Sequence, residues 1–344
     1  MFETLRSSQS ATFNAAGVPV SFGNDAVARA AALSGVALYD ACHWGRIEVA
    51  DADRLSFLHN QSTNTLNQRQ PGEGCDTVFV TSTARTIDLA TVYVLDQSVW
   101  LTVSPGMAVP LIQWLDRYIF FADKVKLKDI SAETSMFQLI GPKSDALVEQ
   151  LGCGVLVGQP YGTHQEMAIA DVSLRLAVGN SLSRSGYTVM AAAGDAEKLW
   201  KMFTAAGAVP LGEQAWQELR LRQGRPLPGH ELTDEFNPLE AGLWHTISWD
   251  KGCYIGQETI ARLDTYNGVK QQLWGFHTDR PVEVGATVTV ADGKVGQVTS
   301  VSASTDGYMG LAYVKTKAGG AGLAVTIGDI RTTLVDLPYL TRAK

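Results

Sequence analysis

The sequence predicts an α+β chain: two units of the split-βαβ kind, followed by a small antiparallel β-barrel or sandwich. Three observations carry this expectation. Strand-like and helix-like segments alternate through most of the chain without the regular βαβ rhythm of a parallel sheet. After Asn267-Gly268 the pattern changes to short β-like runs parted by glycine turns such as Asp292-Gly293 and Asp306-Gly307. There is also no GxGxxG and no GxxxxGK[S/T], so nucleotide-binding doubly wound folds find no foothold.

Taken in order, Asn24-Asp25 are capping residues in front of a helix over Ala26–Ser34. Arg46–Val49 reads as a strand, and Asp51 or Asp53 starts a helix through Leu55, Phe57 and Leu58. Pro71-Gly72-Glu73-Gly74 is a turn. Strands over Thr77–Thr81, Asp88–Leu95 and Val99–Ser104 follow, then helical spacing from Met107 to Tyr118 through Leu111, Trp114 and Leu115. The order repeats loosely. Met136–Ile140 is a strand, and a helix carrying Ala146, Leu147 and Leu151 follows Gly141-Pro142. Ala168–Val178 and Tyr187–Ala191 are strands, and Ala196–Ala206 and Glu213–Gln223 are helices. Beyond residue 268, six runs alternate in the β manner: Leu273–Thr278, Thr287–Val290, Lys294–Val301, Tyr308–Val314, Ala324–Ile327 and Thr332–Val335. The expected division is an N-terminal extension (1–24), a paired α+β region (25–267, split near 135) and a barrel (268–344).

Composition narrows the function classes. A chain of 344 residues with 45% hydrophobic and 18% charged residues has enough apolar material for more than one core. Its net charge of -7 disfavours coating a phosphate backbone, so no direct nucleic-acid binding is expected. No segment reaches the ~18 apolar residues of a membrane helix, and Met1–Gly23 lacks the pattern of a signal or transit peptide. A cytoplasmic protein is expected, with the plastid stroma after leader removal as the alternative. The four cysteines, Cys42, Cys75, Cys153 and Cys253, are widely spaced and form no CxxC, which fits reduced thiols and no resident metal centre.

The most informative segment is Lys251-Gly252-Cys253-Tyr254-Ile255-Gly256-Gln257-Glu258-Thr259-Ile260-Ala261-Arg262. It reads as a tight turn feeding a helix, with Gly252 and Gly256 permitting backbone that other residues resist. Cys253 is then either a reactive thiol, favoured as thiolate by Lys251 and a helix N-terminus, or a small buried hydrophobe in a turn. Asp88 in an apolar strand is either a candidate acid/base group or a surface residue at a strand start.

KGCYIGQE resembles the KGCYxGQE signature of YgfZ-type proteins, which are related to the glycine cleavage T-protein (aminomethyltransferase) family. The GCYIGQETIARL wording is most similar to the cyanobacterial and chloroplast branch. Leu219-Arg220-Leu221, Gly229-His230-Glu231-Leu232, Pro238-Leu239-Glu240-Ala241-Gly242-Leu243 and Gly141-Pro142-Lys143 resemble further T-protein blocks, as does Lys294-Val295-Gly296-Gln297-Val298-Thr299-Ser300. The resemblance runs over about residues 25 to 340. It implies two folate-binding, ferredoxin-like α+β domains and a C-terminal antiparallel β-barrel, with tetrahydrofolate or a derivative as ligand.

By the same resemblance, Asp88 takes the place of the second Asp of the family's DDL string, and Ile87 replaces the first. Trp100 falls at an aromatic position that packs on the folate, where the alternative is a core or edge tryptophan. Arg220 matches the Arg of LRxExG and would hold a carboxylate or pterin oxygen, where the alternative is a solvated helix arginine. Asn64 and Thr65 match a small polar pair after the first helix, and Tyr187 ends the loop Ser183-Arg184-Ser185-Gly186-Tyr187. That loop has Arg184 where the T-protein has a pterin-contacting Glu, and Arg222 replaces the Glu of LRxExG. These replacements argue against unchanged aminomethyl transfer.

The expected function is therefore a tetrahydrofolate-binding accessory protein for iron–sulfur cluster assembly or repair. Lys251 and Cys253 would supply its chemistry, and iron–sulfur assembly or client proteins would be its partners. The alternatives are a tetrahydrofolate-dependent one-carbon transferase using Asp88, and a scaffold that has kept only the fold.

Overall fold

The computed structural model describes residues 10–182, 185–304 and 306–343. A short hairpin of β1 (Thr12–Phe13) and β2 (Pro19–Ser21) leads into α1 (Asp25–Ser34). Asn24 sits in front of α1 as expected, but its amide donates to the Pro210 carbonyl at 3.0 Å and its side chain accepts no capping bond from the helix. Next come β3 (Ala37–Asp40), β4 (Gly45–Ala50), α2 (Arg54–Gln61), β5 (Gly74–Val80), β6 (Thr86–Val94) and β7 (Ser98–Val103). They are followed by α3 (Ala108–Asp116), β8 (Lys126–Asp129), β9 (Thr134–Ile140) and α4 (Ser144–Gln150). The expected strand over Ala168–Val178 is a hairpin: β10 (His164–Ile169) turns at Ala170, which has φ 53°, into β11 (Val172–Val178). Then follow β12 (Gly186–Ala192), α5 (Ala196–Ala205), β13 (Val209–Leu211) and α6 (Glu213–Gln223). The KGCYIGQE segment leads into α7 (Gln257–Thr265). The chain ends with β14 (Gln271–Thr278), β15 (Thr287–Val290), β16 (Gly293–Ser304), β17 (Gly307–Lys315), β18 (Ala324–Ile327) and β19 (Ile330–Val335).

The elements form two compact units. Unit 1 holds residues up to 58, 66–76 and 90–216; unit 2 holds 59–65, 77–89 and 217 onward. In unit 1, a six-stranded sheet runs in the order β10-β11-β12-β9-β3-β13, antiparallel except where β13 lies parallel to β3. Its core is built from inward residues such as Phe137, Leu139, Leu174, Leu176 and Val189, covered by Leu199, Trp200 and Phe203 of α5. The second sheet has the order β5-β6-β7-β4-β8, and its strands β5 and β6 each pass from one unit to the other along their length.

Unit 2 contains a closed barrel, β14-β17-β16-β15-β18-β19, with every neighbour pair antiparallel. Closure removes the sheet edges that such short strands would otherwise expose. The period-2 alternation on β17 separates two cores. Ala312 and Val314 join Trp274, Phe276 and Val298, whereas Leu311 and Tyr313 join Val78, Val80, Leu89 and Leu221. The sequence therefore anticipates the α+β architecture with its terminal barrel.

Candidate functional site

The KGCYIGQE segment lies in unit 2, fastened to the stretch 59–65, which holds the last residues of α2 and the chain just beyond it. Lys251 is buried, and its ammonium donates to three main-chain carbonyls: His59 at 2.5 Å, Ser62 at 2.7 Å and Asn64 at 2.8 Å. Three N–H donors thus meet three carbonyl acceptors at and just beyond the end of a helix, where carbonyls lack intrahelical partners and the dipole favours a cation. The ammonium also lies 4.7 Å from the centroid of the Tyr254 ring. Burial, and then the positive charge of Lys251, hold His59 below the ordinary histidine range.

Main-chain bonds complete the attachment. Ser248 N–H donates to the Thr63 carbonyl and Ile255 N–H to the Asn60 carbonyl, each at 3.0 Å. Thr63 Oγ1 donates to the Thr246 carbonyl at 2.8 Å and accepts from Val78 N–H at 3.0 Å. Thr65 Oγ1 donates to Ser248 Oγ at 2.6 Å, and the Asn64 side chain accepts from the Thr65 amide at 2.8 Å. The structure thus brings Asn64, Thr65 and Lys251 together.

Beyond Lys251 the chain turns outward. Cys253 is exposed, which overturns the buried-hydrophobe alternative. The two neighbouring glycines differ in kind. Gly256 has φ 82°, and a Cβ there would lie 2.8 Å from the Thr81 carbonyl oxygen and 2.9 Å from Val80 Cγ2, so the position requires glycine. Gly252 lies outside the left-handed region, and a Cβ on it would meet nothing within 4 Å. The expectation that Gly252 permits special backbone is therefore corrected: packing does not demand it, and its bare backbone lies open next to the thiol. Ile260 of α7 anchors the following helix against Ala84, Leu239 and Ile247, flanked by Trp244, Trp249 and Tyr254.

Asp88, also in unit 2, is fully buried on β6 and accepts from the Leu89 amide at 2.8 Å, so it is no surface residue. Arg220 is not a solvated helix arginine either. Its guanidinium meets Glu231 at 3.1 Å, Ser300 Oγ at 2.8 Å and Gln217 Oε1 at 2.9 Å, and Glu231 also accepts from Thr299, Ser300 and the Leu227 amide. This network ties α6 to the barrel and engages the guanidinium within the protein. Arg222 pairs with Glu218 one helical turn away, at 3.1 Å.

Trp100 and Tyr187 belong to unit 1. The half-buried Trp100 donates through Nε1 to Glu48 at 3.3 Å. Tyr187 is buried on β12, donates to Asp145 at 2.6 Å, and has its phenol pKa raised by burial and by that carboxylate. Arg184 lies outside the described residues. Sequence reasoning missed the carbonyl cage for Lys251, since main-chain carbonyls carry no residue signature. Among the described residues, no group of three or more His, Cys, Asp or Glu is placed to hold a metal ion. No helix among them is long and apolar enough to cross a membrane.

A fold of two mixed units ending in a closed barrel, with a turn motif clamped by a buried lysine, defines a recognisable class. Residues 8–251 match the family model described as the GCVT N-terminal domain, and the chain belongs to this family. An Arabidopsis thaliana protein named "Putative transferase At1g60990, chloroplastic" is 48% identical over 95% of this chain and 76% of its own. The aminomethyltransferase of Symbiobacterium thermophilum is 29% identical over 94% of this chain and 91% of its own. The crystal structure of the glycine cleavage system aminomethyltransferase T from Bartonella henselae superposes with a TM-score of 0.85, covering 99% of this chain and 97% of that one. At 19% identity the superposition establishes the shared fold.

Proposed function

We propose that this chain binds tetrahydrofolate or a derivative and acts as a YgfZ-type accessory protein, supporting iron–sulfur cluster assembly or repair through Cys253. The observation that carries the reading is the exposed thiol on a turn fixed by Lys251 on one side and Gly256 on the other. A thiol presented in this way can act as a transient ligand toward a partner, whereas a single cysteine cannot hold a cluster alone. Asp88, enclosed in unit 2, is the proposed partner for a pterin amine, with Asn64 and Thr65 as further polar contacts. Membership of the GCVT family supports the folate assignment. The partners are folate and iron–sulfur assembly or client proteins. The name of the Arabidopsis relative supports the plastid stroma as the compartment, beside the cytoplasm.

The test is a calorimetric titration with tetrahydrofolate of wild type and Asp88→Asn, together with iron–sulfur enzyme activity in cells carrying Cys253→Ala. Saturable binding weakened by Asp88→Asn is expected, with client activity lowered by Cys253→Ala. Absence of binding at millimolar folate would remove the reading.

One observation favours a second reading, a tetrahydrofolate-dependent one-carbon (aminomethyl or methyl) transferase. Relatives named aminomethyltransferase cover more than nine-tenths of this chain and of their own length. On that reading Asp88→Asn abolishes turnover and Cys253→Ala has little effect.

A further inference from the structure

Unit 1 contains a cavity of about 460 Å³, within the size range of small-molecule sites; Trp100, which the family resemblance places against the folate, lines it, whereas Asp88, Asn64 and Thr65 do not. One wall comes from the sheet carrying β4, β7 and β8, through Glu48, Trp100 and Lys128. The other comes from β11 and β12 of the six-stranded sheet, through Leu174, Arg175 and Met190. Apolar surface from Leu95, Ile130, Leu174 and Met190 lines the space between.

The charges around this cavity are unequal. Four carboxylates line it, Glu48, Glu133, Glu166 and Asp195, against two cations, Lys128 and Arg175. Each cation has a carboxylate partner. Lys128 meets Glu133 at 2.7 Å, and Arg175 meets Glu166 at 3.2 Å while also donating to His164 Nδ1 at 3.0 Å. Glu48 stands opposite Lys128 on β8 and opposite Trp100 on β7. Its carboxylate accepts from the Trp100 Nε1 at 3.3 Å, which fixes an indole ring and a carboxylate side by side at the wall. Asp195 adds a second carboxylate with no ion pair among the described residues. An aromatic ring next to surplus negative charge, in a space also lined by apolar side chains, is the environment that attracts an organic cation and rejects an anion of the same shape.

We propose that this cavity binds a small organic cation, an amine or quaternary ammonium with a flat apolar body. The site stands on unit 1 alone and does not rest on the folate assignment. The experiment is calorimetric titration of the full chain with benzyltrimethylammonium chloride, and with sodium benzoate as the anionic counterpart. Wild type, Glu48→Gln and Trp100→Leu are compared, each checked for folding by circular dichroism and thermal melting. Saturable binding of the cation is expected, with none of benzoate and an affinity at least about tenfold weaker in each folded variant. The proposal is overturned by no saturable cation binding, by benzoate binding comparably, or by a folded variant that binds as tightly as wild type. Should Trp100→Leu fail to fold, Glu48→Gln decides alone.

Discussion

Gly252 and Gly256 look equivalent in the motif, yet the structure separates them. Gly256→Ala places a Cβ against the Thr81 carbonyl at a φ of 82°, and a loss of about 2 kcal/mol or more is expected. Gly252→Ala meets nothing within 4 Å and should change stability by less than about 0.5 kcal/mol. Urea unfolding of both variants checks this, and equal effects would refute the assignment. Lys251→Met leaves three carbonyls without their shared donor; a loss of about 2–4 kcal/mol is expected. It should come with faster alkylation of Cys253, since the clamp holding the turn is gone. Residue types hinted at special roles for Lys251, Cys253 and Asp88, and the family resemblance at one for Arg220, but neither showed their surroundings. Arg220 shows why: its partners Glu231 and Ser300 lie 11 and 80 residues further along the chain. No local pattern distinguishes such an arginine from one that faces water or a ligand.

At the scale of elements, legibility followed the contrast between the two faces of each segment. The barrel strands alternate between an inner core and a second face, and all six were readable. β3 was not, because Ala37–Asp40 is buried at every position and so shows no alternation. β8 was missed for the opposite reason: Lys126–Asp129 is a polar, largely exposed edge strand. The β10–β11 hairpin carries a pH prediction. Burial first, then the charge of Arg175, lower the pKa of His164 on β10 to about 4. The unfolded value is about 6.5, so between these two pH values the unfolded chain binds the extra proton. The histidine's contribution is therefore complete above pH ~6.5 and is lost as pH falls toward 4, by about 3 kcal/mol in total. His164→Asn keeps an acceptor for the Arg175 N–H and removes the titration. Comparing urea midpoints at pH 7 and pH 5 should show a smaller acid loss in this variant than in wild type. An identical loss would mean that His164 is not buried in the neutral form.

For the whole molecule, the main consequence lies in how the chain is shared between the units. It passes from one to the other at 58/59, 65/66, 76/77, 89/90 and 216/217, so neither unit is a single stretch of sequence. Sequence reasoning placed its boundary near 268, where composition changes. The barrel does begin at Gln271, yet the core that Leu311, Tyr313, Leu337 and Leu340 join also needs Val78, Val80 and Leu89 from the middle of the chain. The KGCYIGQE turn likewise takes its carbonyls from residues 59–64. A fragment of residues 217–344 keeps the barrel strands, the Arg220–Glu231 pair and Lys251, but it loses one side of that core and leaves a buried ammonium without acceptors. Such a fragment is expected to lack a cooperative urea transition and dispersed amide resonances. A fragment that starts at 271 omits the turn and tests the barrel by itself. If 217–344 unfolds cooperatively with a stability near that of the full chain, the inserted segments 59–65 and 77–89 are dispensable, and the clamp on Lys251 is not what orders the Cys253 turn.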